Sequence, residues 1–213
     1  MCIRDSYIDG KKIGRQESLC TPHIYDLNEY IGTGIHEMTI CVSNVGYKTK
    51  GGHLTSPDTQ TNWNGITGRI ELIGYKNAHA ENVMLWCDIH SKTVRVTADI
   101  TDGKSVKAVI SAESFNSEKN HTPAVQSFEY KDGRLDALYK MGDDCLLWSE
   151  HEPNLYKLRI DIDGDVSEHI IGMREFRTEG GKFTINGEKT FLRGKHDGMI
   201  FPKTCLLYTS DAA

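Results

Sequence analysis

Residues 58–65 read DTQTNWNG and combine amide side chains with an indole ring. An amide group both donates and accepts hydrogen bonds, which suits the hydroxyl groups of a sugar. A tryptophan ring offers an apolar face to the C–H side of a pyranose. The stretch is therefore a candidate for contact with a carbohydrate through Gln60, Asn62, Trp63 and Asn64. The alternative is a polar surface turn in which Trp63 packs between two domains.

A second candidate is His151, which two carboxylates flank. Glu150 and Glu152 invite comparison with a catalytic acid–base pair. Both lie immediately before Pro153 in a polar stretch, so we predict solvated side chains in a loop.

Three aromatic residues also invite a role in stacking on a sugar. Trp148, Tyr156 and Trp86 all lie in strand-forming sequence, where aromatic side chains usually fill the core of a sandwich. We predict that these residues are part of a core.

Cysteine and histidine residues are dispersed along the chain. There is no CxxC pair and no HExxH motif. The wide spacing favours buried or free thiols, with one disulfide as the open alternative, and we predict no structural metal. The cysteines in question are Cys20, Cys41, Cys87 and Cys145.

The charge pattern excludes one class of partner. The net charge is −5, with acidic and basic residues interspersed, which argues against a nucleic-acid interface. No apolar run approaches the roughly 18 residues that suggest a membrane span, so we expect a soluble segment without a membrane partner.

The elements that position these residues are predicted to be strands. In residues 155–162, LYKLRIDI, every second residue is apolar, and residues 93–100, TVRVTADI, repeat this period. Five turn dipeptides suit tight hairpins. They are Asp9-Gly10, Asp102-Gly103, Asp132-Gly133, Asp163-Gly164 and Asn186-Gly187. We predict a mostly β, largely antiparallel chain of sandwich or jelly-roll style, with a linker at residues 76–82.

The two ends of the sequence differ from its middle. The codons of Met1–Ser6 and of Thr204–Thr209 can be written as one DNA string and its reverse complement. We therefore expect residues 1–6 and 205–213 to be translated sequencing adapter, and residues 7–204 to be a piece of a longer protein. On this interpretation the ends carry no information on export, so the localisation is left open.

Three stretches, in this order, resemble glycoside hydrolase family 2, the family of β-galactosidases, β-glucuronidases and β-mannosidases. They are TNWNGITGRIEL at 61–72, LLWSEHEPNLYKLRIDI at 146–162 and GMREFRTEGGKFTINGEKTFLRGKHD at 172–197. The resemblance implies part of a sugar-binding jelly-roll domain at 7–78 and an immunoglobulin-like β-sandwich at 79–176. It also implies the start of a catalytic (β/α)8 TIM barrel at 177–204.

The resemblance also implies an activity. The parent would be a retaining hydrolase of terminal β-linked sugars, whose two catalytic glutamates lie on later barrel strands and are absent here. No residue of this chain is then catalytic, and the chain alone is expected to be inactive. At the end of the first barrel strand, His196 and Asp197 would face the sugar, and Arg193 would hold the strand end. The alternative is that these residues only stabilise the mouth of the barrel.

The family implies no organic cofactor, although some members use Mg²⁺ or Na⁺, and it often forms homo-oligomers. Its partner is an oligo- or polysaccharide substrate. A non-catalytic carbohydrate-binding or structural β-sandwich protein is the alternative function. Residues 177–204 favour the enzyme, because a binding module has no need of a barrel strand.

Overall fold

The computed structural model describes residues 3–17, 21–43, 65–66, 68–75, 78–101 and 107–194. All helical or sheet structure in these ranges is β-strand, in agreement with the predicted mostly β class. No helix long and apolar enough to cross a membrane occurs among the described residues. The chain divides into two compact units, Met1–Glu71 with Lys195–Ala213, and Leu72–Gly194.

The first unit contains a three-stranded antiparallel sheet in the order β2-β1-β3. Its strands are β1 (Ile3–Ile8), β2 (Lys11–Glu17) and β3 (Met38–Ser43). The central strand β1 includes residues 3–6, for which an adapter origin stays a prediction. Ser6 and Ile8 are buried, so this strand contributes to the packing of its unit.

A polar cluster at Asp9 fastens the β1–β2 turn to the residues that precede β3. The Glu37 amide donates to Asp9 Oδ1 at 2.8 Å, and His36 Nδ1 lies 2.7 Å from Asp9 Oδ2. The amide of Glu37 and the imidazole lower the pKa of Asp9, in that order of importance. In turn the Asp9 carboxylate, followed by the Gly32 carbonyl, raises the pKa of His36.

The second unit contains two antiparallel sheets that share one core, which makes it a β-sandwich. One sheet has the order β4-β5-β8 and the other the order β10-β9-β6-β7. The first sheet consists of β4 (His79–Asp88), β5 (Thr93–Thr101) and β8 (Arg134–Lys140). The second consists of β6 (Lys107–Ser114), β7 (Gln126–Glu129), β9 (Tyr156–Ile162) and β10 (Asp165–Ile171).

The predicted period of two is confirmed in β5 and β9. Their inward-facing side chains are at most 8% exposed, and the intervening side chains point out of the core. The buried residues are Val94, Val96, Ala98, Ile100, Tyr156, Leu158, Ile160 and Ile162.

Four of the five predicted turns lie in the described residues, and all four have the backbone that tight hairpins require. The aspartate or asparagine has φ between 48° and 54°, and the following glycine between 71° and 85°. Positive φ at both positions is typical of a type I′ turn, which glycine and asparagine tolerate best. The fifth turn, Asp102-Gly103, lies outside the described residues.

Of the predicted linker at residues 76–82, residues 76–77 lie outside the described residues, and the prediction is wrong for the remainder. His79 is already the first residue of β4, where it pairs with Thr101, and Ala78 before it is buried. Asn82 has φ 50° where the β4–β5 register shifts. A bulge explains the misleading composition, because it accommodates an asparagine and outward polar side chains without ending the strand.

Of the three aromatic residues predicted for the core, only Tyr156 is fully buried. Trp86 is 45% exposed, so its core prediction is wrong, and Trp148 is only partly buried. Leu85 and Cys87 occupy the more buried positions of β4, and alternation therefore turns Trp86 to the outer face.

The cysteine prediction is confirmed where it can be examined. Cys41, Cys87 and Cys145 are free thiols, and Cys20 lies outside the described residues. Burial raises the pKa of Cys87 to about 11, so this thiol is a poor nucleophile near neutral pH.

A third sheet of the second unit follows the sandwich in the chain, in the order β11-β12-β13. Its strands are β11 (Phe176–Glu179), β12 (Lys182–Ile185) and β13 (Glu188–Lys189). The Asn186-Gly187 turn joins the last two strands, and residues 190–194 lead onward from them.

Candidate functional site: the junction before Arg193

Most residues predicted to contact a sugar lie outside the described part of the chain. This applies to Gln60, Asn62, Trp63, Asn64, His196 and Asp197. Arg193 is described and exposed, four residues after β13.

We use the term junction for Trp148, Gly172, Arg174 and Asn186, which connect the third sheet to the sandwich. The Trp148 amide donates to the Met173 carbonyl at 2.9 Å. Gly172 lies directly beside the indole: a Cβ added there would be 3.1 Å from Cβ and Cγ of Trp148. Glycine is thus the residue that lets the chain approach Trp148 this closely.

A cation covers the same indole. The guanidinium carbon of Arg174 lies 4.6 Å from the centre of the Trp148 ring. This distance is within the range of a cation–π interaction, and Arg is the cation most often found in this role. Trp148 is therefore held by backbone and charge contacts at the edge of the sandwich, which explains why it is not a core residue.

Asn186 links the β12–β13 turn to both neighbouring segments. Its Nδ2 donates to the Trp148 carbonyl at 2.9 Å, and its Oδ1 accepts from the Glu175 amide at 2.9 Å. Its own amide donates to the Glu175 carbonyl at 2.9 Å. An amide side chain is needed here because one group must donate and accept simultaneously.

A further contact joins the segment before Arg193 to the loop that precedes β9. Thr190 is buried, its amide donates to the Phe183 carbonyl at 2.9 Å, and its hydroxyl donates to Glu150 Oε2 at 3.3 Å. Glu150, His151 and Glu152 are all exposed, which confirms their prediction as a solvated loop. Glu150 offers a structural contact to Thr190, and the two exposed glutamates are not a buried carboxylate pair.

The sandwich also carries an open cavity of about 540 Å³. His121, Lys140, Asp143 and Asp144 contribute to its lining. His121 Nδ1 lies 2.7 Å from the hydroxyl of Tyr156, and burial lowers the pKa of this histidine although Asp144 opposes the effect. Among the described residues, no group of three or more histidine, cysteine or acidic side chains could hold a metal ion.

Sequence comparison shows which known proteins this chain is similar to. Residues 78–174 match the family model described as glycosyl hydrolases family 2. A β-galactosidase of Halalkalibacterium halodurans is 26% identical over 199 residues, which cover 88% of this chain and 19% of that protein. A β-galactosidase of Clostridium acetobutylicum is 21% identical, again over 88% of this chain and 21% of its own length.

These matches confirm the resemblance predicted from the motifs: residues 78–174 are similar to glycosyl hydrolases family 2, and most of the chain is similar to β-galactosidases. It spans about a fifth of the length of these curated relatives.

Solved structures agree on the fold. A Faecalibacterium prausnitzii β-glucuronidase superimposes with a TM-score of 0.63 at 14% identity, covering 90% of this chain and 36% of that one. A β-D-mannosidase of Dictyoglomus thermophilum superimposes with a TM-score of 0.62 at 18% identity, covering 90% of this chain and 29% of that one.

The structural roles of the junction were missed by sequence reasoning. The motifs that carry the family resemblance contain Trp148, Gly172, Arg174 and Asn186. The contacts between these residues, however, join distant positions: Asn186 and Trp148 are 38 residues apart in the sequence. An Asn-Gly pair signals a turn; it does not signal which distant carbonyl the asparagine will bind.

Proposed function

We propose that this chain is part of a retaining, β-galactosidase-like glycoside hydrolase that removes terminal β-linked sugars. The observation that carries the proposal is the family match at residues 78–174 together with relatives named β-galactosidase that align over 88% of the chain. Because the chain spans about a fifth of those relatives, the activity is proposed for a protein of their length that contains this chain.

In this proposal the β4–β10 sandwich is the immunoglobulin-like domain, with the predicted bounds 79–176. Seven antiparallel strands in two sheets around one core support this assignment. Residues 7–78 belong to a sugar-binding jelly roll, and residues 177–204 begin the catalytic barrel.

The chemistry belongs to two carboxyl groups about 5 to 5.5 Å apart, one an acid/base and the other a nucleophile. We place both on later barrel strands outside this chain, so the 213-residue chain alone does not hydrolyse a glycoside.

The substrate contacts of this chain come from two segments. Arg193, His196 and Asp197 lie at the end of the first barrel strand, where side chains face the active site in such barrels. The amides and indole of residues 60–64 approach the sugar from the jelly roll.

The test begins with the source DNA, read outward through the codons of Tyr7 and Thr204. The full-length protein is then assayed on the p-nitrophenyl β-glycosides of galactose, glucuronic acid and mannose, beside the 213-residue chain. We expect hydrolysis by the full-length protein alone, with the β-anomer appearing first by NMR.

Release of the α-anomer first would contradict retention. A frame that stops soon after Thr204, or a full-length protein inactive on all three glycosides, would instead favour the carbohydrate-binding or structural alternative.

A further inference from the structure

The side chain of His36 joins the loop before β3 to the β1–β2 turn. Its Nδ1 lies 2.7 Å from Asp9 Oδ2. Its Nε2 lies within reach of both backbone groups of Gly32, 3.2 Å from the amide nitrogen and 3.1 Å from the carbonyl oxygen. Glu37 adds two bonds: its amide donates to Asp9 Oδ1 at 2.8 Å, and its carbonyl accepts from the Asp9 amide at 2.9 Å. We use the term clasp for Asp9, Gly32, His36 and Glu37.

The Asp9 carboxylate determines which nitrogen of a neutral His36 ring carries the proton. An ionised carboxylate only accepts hydrogen bonds, so Nδ1 must be the donor, and a neutral imidazole has one N–H group. Nε2 is then an acceptor, which the Gly32 amide satisfies. The Gly32 carbonyl is just as near, but it makes no bond to the ring in this state because both atoms are acceptors.

A second proton on the ring changes the partner of Nε2. Both nitrogens of an imidazolium ring are donors, so Nε2 now donates to the Gly32 carbonyl, and the Gly32 amide loses its acceptor. The bond from Nδ1 to Asp9 becomes a charge-assisted bond between opposite charges, which is the stronger kind. Gly32 therefore holds the ring in either protonation state, with a different backbone atom in each.

We propose that the clasp is a pH-dependent fastening: protonation of His36 transfers Nε2 from the Gly32 amide to the Gly32 carbonyl and strengthens the bond to Asp9. All of these contacts join residues 9–37 of this chain. The inference therefore does not rest on the proposed function, nor on what covers this surface in a longer protein.

The loop has the backbone freedom that the exchange of partners requires. A Cβ added at Gly32 would have nothing within 4 Å, so the peptide groups on either side of it can reorient. Gly34 has φ 144°, a conformation that residues with a side chain rarely adopt. Because the two atoms of Gly32 lie at nearly the same distance from Nε2, a small reorientation is enough.

The charged groups around the ring keep Asp9 ionised while His36 titrates. The Glu37 amide and the His36 ring, followed by the charge of Lys11 at the start of β2, lower the pKa of Asp9. The Glu37 carboxylate follows His36 in the chain, in an exposed residue. The charge that changes in the clasp near neutral pH is therefore that of the imidazole.

The direction of the pH dependence follows from the same contacts. Asp9, followed by the Gly32 carbonyl, raises the pKa of His36 above its ordinary value of 6.5. The folded chain thus binds this proton more tightly than the unfolded chain. The stability that the clasp contributes is fully present below pH 6.5 and is lost as the pH rises through the folded pKa. His121 in the sandwich shows the opposite direction, because burial lowers its pKa.

The test is a titration of the 15N-labelled 213-residue chain, followed in NMR spectra that correlate the ring nitrogens of histidine with their carbon-bound protons. We expect neutral His36 to carry its proton on Nδ1 and to titrate with a midpoint above 6.5. The Gly32 amide resonance should shift with the same midpoint. His121 is the reference within the same sample and should titrate below 6.5.

Three variants separate the clasp from a general effect of pH. Asp9→Asn keeps the shape of the side chain but removes its charge, so the His36 midpoint should fall towards 6.5. His36→Gln has no imidazole and should abolish the pH-dependent shift of the Gly32 amide. Gly32→Ala is the matched control, because it keeps both backbone groups and its Cβ enters open space. It should leave the midpoint unchanged.

Four results would overturn the inference. Neutral His36 could carry its proton on Nε2, or its midpoint could be at or below 6.5 in the wild-type chain. The midpoint could be the same in Asp9→Asn, or the Gly32 amide could shift with pH in His36→Gln as it does in the wild type. Hydrogen exchange of the Asp9 amide, bonded to the Glu37 carbonyl, is a separate check, since a lack of protection at every pH would show that the clasp does not form.

Discussion

The core of the sandwich and the junction lie in the same unit of the chain, yet different forces hold them. The sandwich is stabilised by apolar side chains from both sheets, whose burial depends on volume and shape. The junction relies on hydrogen bonds, a cation–π contact and the close approach at Gly172. We infer that the sandwich sets global stability, whereas the junction sets the position of the segment that leads to Arg193.

The largest effect should come from a cavity in the core. Ile160 on β9 is fully buried, and Ile160→Ala removes apolar volume that its neighbours cannot replace. We expect the free energy of unfolding to fall by about 2 to 5 kcal/mol, measured by urea denaturation. Val166→Ala on β10, 53% exposed, is the control and should change it by about 0.5 kcal/mol or less. Equal effects of the two changes would contradict the division between core and surface.

Asn186→Ala tests the junction. It removes two side-chain hydrogen bonds and places alanine at φ 54°. We expect the free energy of local opening at β11–β13 to fall by about 2 kcal/mol, as seen in amide hydrogen exchange, with the exchange of β5 and β9 unchanged.

Asn186→Gly separates the two contributions to this loss. Glycine accepts the positive φ but lacks the amide, so we expect about half of the loss to remain. Faster exchange in β5 and β9 in either variant would show that the junction is part of the sandwich's cooperative unit.

The accuracy of sequence prediction in these two regions depends on how far apart in the sequence the interacting residues lie. Alternation in β5 and β9 and the positive φ at Asn186 depend on adjacent residues, and both predictions are confirmed. The outward face of Trp86 depends on the register of β4 after the bulge at Asn82, which composition does not reveal.

The junction was beyond prediction for a related reason. Its contacts join Trp148, Arg174 and Asn186, and no local pattern specifies such pairs. The predicted sugar contacts other than Arg193 lie outside the described residues, so they stay predictions.

Gly172→Ala should have a smaller effect than Asn186→Ala. The added Cβ would lie 3.1 Å from Trp148, so the indole must shift by a few tenths of an ångström. We expect a loss of about 1 kcal/mol in the stability of the junction and a change in tryptophan emission. Gly74→Ala, with nothing within 4 Å of the added Cβ, is the control. An unchanged emission spectrum in Gly172→Ala would show that the contact with Trp148 is not tight.

The smallest effect concerns pH and should distinguish the two regions again. Burial lowers the pKa of His169 and of His121 in the sandwich. Each histidine therefore binds a proton more readily in the unfolded chain, where the pKa of the imidazole has its ordinary value of 6.5. The stability that the neutral rings contribute is present above that value and is lost as the pH falls through their folded pKa values. The Asn186 amide does not titrate, so its contacts should be insensitive to the same change.

Hydrogen exchange at pH 7.5 and pH 5 measures both regions in one sample. After correction for the intrinsic dependence of exchange on pH, protection of β9 and β10 should decrease at pH 5, while that of the Glu175 amide bonded to Asn186 should not. His169→Gln is the matched variant, because it keeps a polar side chain near Ser167 without an imidazole, and it should reduce the acid loss in β10. If the Glu175 amide loses protection in parallel with β10, the two regions open together and the distinction between them fails.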